Sequence, residues 1–227
     1  MNRKRILVFG DSNSWGFVPC AANELTTRYD VSTRWPSVMA ARLGSAFELV
    51  EEALSARTTD LDDFQMDLPS PHLRGATFNG AKMLPAIVAS HLPLDLVVIM
   101  LGTNDLKTRF KRTAQKIAIA ALGLVRLVEE CEGGVGTVYP APKVLLIAPP
   151  PLGTGFHDPD QWVGSRENSL ELGSAFRDAA SARNVPCFDA GEVITTDGID
   201  GVHFSAEAHL KLGEAIAKKV FLILKEQ

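Results

Sequence analysis

Short apolar runs that end in polar turns alternate along this chain with segments of helical spacing. The apolar runs predict five strands, at residues 6–9, 47–50, 96–101, 144–148 and 185–188. The third run is continuously apolar, which is typical of a strand that is covered on both faces. Between the runs, apolar side chains recur at helical spacing and predict helices at residues 34–43, 81–91, 113–131, 167–183 and 206–224.

Regular alternation of strands and helices favours a doubly wound α/β fold. We expect a mainly parallel five-stranded sheet with helices on both faces, as in a flavodoxin-like three-layer sandwich. No change of composition marks a linker, so residues 1–227 are predicted to form one domain. Segment 17–33 and the Gly/Pro-rich segment that reaches residue 162 are predicted to be loops. The irregular segment 60–80 is long, and loops of such length are usually functional or contact partners.

The charge of the chain argues against some classes of partner. A net charge of -4 gives no electrostatic reason to expect binding of nucleic acid or an anionic membrane. The small basic cluster of Lys107, Arg109, Lys111 and Arg112 is interpreted as a solvated start of a helix. No segment approaches the roughly 18 apolar residues of a membrane span, and the apolar run after the basic amino terminus is too short for a signal peptide.

The cysteines and histidines indicate neither a disulfide framework nor a metal site. Cys20, Cys131 and Cys187 are odd in number and widely spaced, which fits a reducing cytoplasm. The histidines outside the motif discussed below have no ligand-like spacing. We therefore expect no metal ion and no cofactor.

Candidate chemistry begins where the first strand breaks into Gly10-Asp11-Ser12. Open α/β sheets bind ligands at the carboxyl edge of their strands, so Ser12 is presented where a nucleophile would act. Asp11 is interpreted as a structural group that bonds backbone amides of the turn. By itself, a serine at this position is more often an ordinary turn residue that caps the next helix.

A carboxylate and a histidine three residues apart supply the candidate base. Asp200 can accept a hydrogen bond from Nδ1 of His203, which leaves the second ring nitrogen free to accept the proton of Ser12. Taken alone, this spacing is also common in surface turns.

The turn after the third strand, Gly102-Thr103-Asn104-Asp105, supplies a candidate for binding an oxyanion. The carboxamide of Asn104 can donate an N–H without competing for the serine proton. Backbone N–H groups of Ser12 and of the 55–56 loop would complete three donors. Each donor is typically worth about 3 kcal/mol of transition-state stabilisation.

Read together, these stretches resemble the SGNH or GDSL hydrolases. The four blocks of that family occur in order as Gly10-Asp11-Ser12, Ala53-Leu54-Ser55-Ala56, Gly102-Thr103-Asn104-Asp105 and Asp200-Gly201-Val202-His203. The segments 51–59, 91–96 and 139–144 are most similar to the arylesterase and acyltransferase branch. The resemblance implies that Ser12 is the nucleophile, His203 the base and Asp200 its orienter, with Ser12 N–H, Ala56 N–H and Asn104 Nδ2 as oxyanion donors.

The resemblance implies a serine esterase for small acyl esters of aryl or short alkyl alcohols, acting through an acyl-enzyme. It further implies acyl transfer or perhydrolysis and a homo-oligomer, with an octamer as one candidate. A carbohydrate O-deacetylase or a lysophospholipase on the same fold, and a binding module with an idle triad, remain alternatives. Candidate substrate-binding residues are those that flank the motifs, and they are Asn13, Trp15, Thr103, Lys107 and Val202, with Phe156 and Trp162 on a loop at the same edge. Asn13 stands where the family usually has leucine, which bears on substrate preference.

Overall fold

Five parallel strands form one sheet in the computed structural model, which describes residues 3–22, 24–65, 72–196 and 199–225. The strands are β1 (Lys4–Gly10), β2 (Phe47–Ala53), β3 (Leu96–Met100), β4 (Lys143–Ala148) and β5 (Cys187–Asp189). They lie in the order β2-β1-β3-β4-β5, and every neighbouring pair is parallel. The predicted five-stranded α/β fold is therefore confirmed.

Helices cover both faces of the sheet. They are α1 (Ser12–Trp15), α2 (Trp35–Leu43), α3 (Gly80–His91), α4 (Ala114–Glu129), α5 (Ser165–Leu170), α6 (Leu172–Ser181) and α7 (Ala206–Lys225). Apolar side chains of α3, α4 and α6 form one core, and those of α2 and α7 form the other. Among the helices described, none is long and apolar enough to cross a membrane.

The side chains of β3 face both cores, which explains why its sequence is apolar throughout. Val97 and Ile99 point into the core of α3, α4 and α6, whereas Leu96, Val98 and Met100 point into the core of α2 and α7. Because side chains alternate across a strand, a sheet covered on both faces needs apolar residues at every position. β3 lies at the centre of the sheet, and β1 beside it carries the candidate nucleophile at its carboxyl end.

Most predicted elements differ from the structure only at their ends, as β2 does by extending to Ala53, and two differences need a comment. The helix predicted at 167–183 is two helices that meet at Glu171, and the buried Ser169 hydroxyl accepts the Leu152 N–H at 2.9 Å on the first of them. The last strand begins at Cys187 rather than at residue 185, because Pro186 has no N–H to pair and offers only its carbonyl, to the N–H of Leu146 at 3.0 Å.

The basic cluster after β3 is largely not solvated, so that interpretation was wrong. Arg109 pairs with the buried Asp63 at 2.5 Å, and Arg112 pairs with Asp60 at 2.5 Å. Lys107 is 6% exposed, Arg109 and Arg112 are half-buried, and Lys111 is exposed. The acidic partners come from the irregular segment after β2, so the charges join two distant loops. Part of that segment, residues 66–71, lies outside the described residues.

Candidate active site

The turn after β1 presents Ser12 at the carboxyl edge of the sheet. Asp11 caps the four-residue α1, and its Oδ1 accepts the N–H of Asn13 at 3.0 Å, in line with the structural role predicted for it. Ser12 is the first residue of α1 and is 5% exposed. Within the described chain, Oδ2 of Asp11 has no hydrogen-bond partner, and burial raises the pKa of this carboxyl to about 7.

A continuous hydrogen-bonded chain links Ser12, His203 and Asp200. His203 Nε2 lies 3.0 Å from Ser12 Oγ, and His203 Nδ1 lies 2.8 Å from Asp200 Oδ2. A carboxylate accepts hydrogen bonds, so the ring proton belongs on Nδ1 and Nε2 is left to accept the serine O–H. The geometry is that of a nucleophile, a base and an orienting carboxylate.

Backbone groups fix the carboxylate of Asp200 in place. Its Oδ1 accepts the N–H groups of Val202 and His203, both at 2.9 Å. Burial acts to raise the pKa of Asp200, but the hydrogen bonds from His203 and Val202 outweigh it and lower the pKa below its ordinary value. Gly201 permits this tight turn, because it has φ +71° and a Cβ there would lie 2.6 Å from the carbonyl oxygen of Thr154.

Phe17 stacks on the ring of His203 and was not predicted from the sequence. The ring centroids are 3.9 Å apart and the planes differ by 19°. The N–H of Phe17 donates to the carbonyl oxygen of Ser12 at 3.0 Å, so the stacking ring is fixed to the nucleophile turn. Phe17 begins a segment without periodicity, and nothing in the sequence indicated that its ring would face the histidine.

The three residues predicted to supply N–H donors lie at one cavity. The Ser12 and Ala56 N–H groups donate to no acceptor within the described chain, and the carboxamide of Asn104 uses one of its two N–H groups to bond the carbonyl of Arg57 at 3.1 Å. Ser12, Ala56 and Asn104 line the same cavity. Ala56 has φ +68°, which is unusual for a residue with a Cβ. This arrangement suits a developing negative charge on a carbonyl oxygen.

Arg57 connects the loops that carry these donors, and sequence reasoning had given it no role. Its Nη1 donates to the carbonyl oxygens of Gly10 at 3.0 Å and Glu52 at 2.5 Å, and its guanidinium lies 4.1 Å from the centroid of the Phe9 ring. Burial lowers the pKa of Arg57 to about 10, which leaves it cationic at neutral pH.

A cavity of about 460 Å³ opens above the Ser12 hydroxyl. Its apolar walls include Phe17, Trp162 and Val202, and Trp162 stacks on Phe156 with centroids 5.5 Å apart. Polar groups face the remaining sides, and they are Ser55, Asn104, Lys107, His157, Asp158, Gln161, Asp200 and His203. No group of three or more His, Cys, Asp or Glu side chains among the described residues could hold a metal ion.

The structure brings some of the predicted substrate-binding residues to this cavity and others elsewhere. Lys107 and Val202 line it, whereas Asn13, Trp15 and Thr103 are not among its lining residues. The buried carboxamide of Asn13 donates instead to the carbonyl oxygen of Val202 at 3.2 Å, which ties the nucleophile turn to the histidine loop. The ring of Trp15 stacks under the guanidinium of Arg28 at 5.1 Å.

Comparison with known proteins identifies the family. Residues 8–211 match the model of the GDSL-like lipase/acylhydrolase family. Est24, a carbohydrate acetylesterase from Sinorhizobium meliloti, is 48% identical over 97% of this chain and 100% of its own, with a TM-score of 0.89. The aryl esterase of M. smegmatis is 48% identical over 96% of this chain and 99% of its own, with a TM-score of 0.86.

A second Sinorhizobium meliloti structure, a carbohydrate acetylesterase family member, is 33% identical over 98% of this chain and 99% of its own, with a TM-score of 0.83. A search of curated proteins gave no match. The family match covers most of the chain and includes all four sequence blocks that surround the cavity. This chain therefore belongs to the GDSL-like lipase/acylhydrolase family and is a carboxylic ester hydrolase.

Proposed function

We propose that Ser12, His203 and Asp200 are the catalytic triad of a serine esterase that works through an acyl-enzyme. The observation that carries this proposal is the unbroken chain from Asp200 Oδ2 to His203 Nδ1 and from His203 Nε2 to Ser12 Oγ, at 2.8 and 3.0 Å. A serine hydroxyl is a weak nucleophile unless an adjacent base accepts its proton as it attacks.

The reaction proceeds in two halves. His203 Nε2 takes the proton from Ser12 as Oγ bonds to the ester carbonyl carbon, and the carbonyl oxygen becomes an oxyanion held by Ser12 N–H, Ala56 N–H and Asn104 Nδ2. His203 then gives that proton to the departing alkoxide or phenoxide oxygen as its bond to carbon breaks. In the second half, His203 takes a proton from a water molecule as its oxygen attacks the acyl carbon. The bond from that carbon to Ser12 Oγ then breaks, His203 returns the proton to Oγ, and the acid is released.

Small acyl esters of aryl or short alkyl alcohols are the proposed substrates. The apolar rings of Phe17 and Trp162 and the modest cavity suit a short acyl group and a flat leaving group. The similar M. smegmatis protein is an aryl esterase, which supports this class.

Acetylated carbohydrates are the second candidate, since Est24 is a carbohydrate acetylesterase. A specific observation favours them, because Asp158, Gln161 and Trp162 line the same cavity. Aromatic rings flanked by carboxylate and amide groups can stack on a sugar ring and bond its hydroxyls.

The proposal extends to the setting of the enzyme. We place residues 1–227 in one catalytic domain in the cytoplasm, where the free thiols of Cys20, Cys131 and Cys187 would remain reduced. Exposed apolar side chains on the loops after α1 and β2, Leu25 and Phe64, support a homo-oligomer. Acyl transfer to alcohols or peroxide is proposed as a side activity, because an acceptor in the apolar cavity competes with water for the acyl-enzyme.

Replacement of the nucleophile tests the proposed function. We expect Ser12→Ala to lower the turnover of 4-nitrophenyl acetate by at least roughly three orders of magnitude, because it removes the attacking oxygen. A fluorophosphonate should label the wild type once, at Ser12, and should not label the variant.

Ser14→Ala is the matched control, since it makes the same change two residues later in α1. Within the described chain the buried Oγ of Ser14 has no hydrogen-bond partner, so activity and labelling should persist. Turnover by Ser12→Ala at the wild-type rate would remove this residue from the mechanism. Absence of any turnover in the wild type would favour a binding module with an idle triad.

A further inference from the structure

Lys107 is a buried cation at the wall of the esterase cavity. It follows the 3-10 turn that contains Asn104, and it lines the cavity together with Ser12 and His203. Only 6% of the surface of Lys107 is exposed. Within the described chain its ammonium makes no hydrogen bond or ion pair, and it lies over the ring of Trp162, with Nζ 5.9 Å from the ring centroid.

The backbone on both sides of Lys107 is fixed. Ser165 Oγ donates to the carbonyl oxygen of Leu106 at 2.6 Å, and Thr108 Oγ1 donates to the carbonyl oxygen of Val163 at 3.3 Å. The ammonium is therefore supplied by a constrained turn rather than by a mobile surface loop.

The acidic groups near Lys107 are engaged elsewhere. Asp63 pairs with Arg109 at 2.5 Å, Asp105 bonds the hydroxyl and N–H of Thr59, and Asp11 bonds the N–H of Asn13. None of these three carboxyl groups hydrogen-bonds to the lysine, although each of their charges acts on it. An ammonium removed from water without a hydrogen-bonded acidic partner is unfavourable, and a bound anion would relieve that cost.

We propose that Lys107, with Trp162 beside it, forms a subsite for a carboxylate carried by the ester substrate. This inference rests on the proposed function and narrows its substrate to esters with an anionic arm. The ammonium pairs with the carboxylate, and the apolar part of the same arm lies against the indole ring of Trp162. A carboxylate held there remains a spectator, while the reacting carbonyl sits between Ser12 and Asn104.

The other charges at the cavity permit such an anion. Asp200 is paired with His203, and Asp158 is exposed at the rim, where it accepts the amide N–H of Gln161 at 2.7 Å. A solvated carboxylate at the rim repels an anion much less than a buried one would. Desolvation lowers the pKa of Lys107 to about 8, so the free enzyme carries this charge at pH 7 and loses it at higher pH.

The test compares esters that differ by one charge. In the leaving-group arm, 3-carboxyphenyl acetate is compared with 3-carbamoylphenyl acetate. In the acyl arm, phenyl hydrogen glutarate is compared with phenyl glutaramate. Uncatalysed hydrolysis is subtracted from every rate. The measured quantity is the ratio of kcat/KM for the acid to kcat/KM for its amide. A charge-assisted hydrogen bond predicts that Lys107→Met lowers this ratio roughly 10- to 100-fold in one arm, and that arm shows where the carboxylate lies.

Lys116→Met is the matched control, because it removes an exposed lysine of α4 and the same unit of net charge. It should leave both ratios unchanged. In the wild type the ratio in the responding arm should fall as pH rises through about 8, since the free lysine then loses its proton. This pH series, together with Lys107→Gln, keeps the test decisive if the methionine variant does not fold.

Ratios that are the same in the wild type and in a folded Lys107 variant, in both arms, would overturn the subsite. A wild-type ratio that does not change between pH 6.5 and 9.5 would also contradict it. Both outcomes are distinct from failure of the proposed function, in which the neutral amide esters themselves would not be hydrolysed.

Discussion

Replacing Asp200 by asparagine isolates the orientation of the histidine ring from the packing around it. The two carboxylate oxygens accept three N–H groups, with Oδ1 bonded to the backbone of Val202 and His203 and Oδ2 bonded to Nδ1 of the ring. An asparagine side chain has one oxygen and one NH₂ group. Two backbone donors at 2.9 Å hold its oxygen on their side, so the NH₂ group must face the ring.

The NH₂ group cannot accept the Nδ1 proton, and the ring must then carry its proton on Nε2. In that tautomer Nε2 donates towards Ser12 Oγ and no longer serves as a base. A triad with the wrong tautomer loses about 10⁴ in kcat, which corresponds to about 5.5 kcal/mol of transition-state free energy. We expect a loss of that size for Asp200→Asn in the turnover of phenyl acetate, with little change in KM.

Asp178→Asn, an exposed position on α6, makes the same substitution away from the cavity and should retain full activity. Thermal unfolding of both variants controls for misfolding. An Asp200→Asn enzyme that is folded and keeps more than a tenth of wild-type kcat would refute this account of the ring orientation.

Three further perturbations test the oxyanion donors, the stacked ring and the helix packing. Asn104→Ala should lower kcat about 10²- to 10³-fold with phenyl acetate by removing one donor, and an unchanged kcat would exclude that role. Phe17→Leu should lower kcat about 3- to 30-fold by removing the π face on which the imidazolium forms, and Phe17→Tyr should restore it; equal losses in both variants would indicate packing alone. In urea unfolding, Gly213→Ala should cost about 1–3 kcal/mol, because its Cβ would lie 2.6 Å from Cβ of Val38. Gly123→Ala, in open space on α4, should stabilise by about 0.5–1 kcal/mol, and the same sign in both variants would contradict the packing argument.

The strands and the polar turns that follow them were predictable, because each depends on a local sequence pattern. Leu96–Met100 is apolar at every position, and the parallel order then brings the ends of β1 and β3 to one edge. Ser12 and Asn104 follow those two strands directly, so their meeting at the cavity follows from the topology. The acid and the histidine share one short turn, which limits how far apart they can lie.

Other features depend on partners that are distant in the sequence. The partial burial of Arg109 and Arg112 depends on Asp63 and Asp60 in another loop, so their solvation could not be judged from their own neighbours. The stack of Phe17 on His203 joins two loops without periodicity. Helical spacing likewise does not reveal the break between α5 and α6, since both helices contribute buried residues.

The position of Arg57 has a consequence for how the substrate preference of this enzyme could be changed. Its side chain donates to the carbonyl oxygen of the residue that ends β1, and its own carbonyl oxygen accepts an N–H of the Asn104 carboxamide. Its peptide neighbour Ala56 is one of the proposed oxyanion donors. These hydrogen bonds join the loops that carry the proposed oxyanion donors. Residues 157–162, several of which line the cavity, form none of these bonds. We therefore expect that mutations in residues 157–162 change which leaving groups or acyl chains are accepted. The proposed oxyanion donors would keep their positions in such variants.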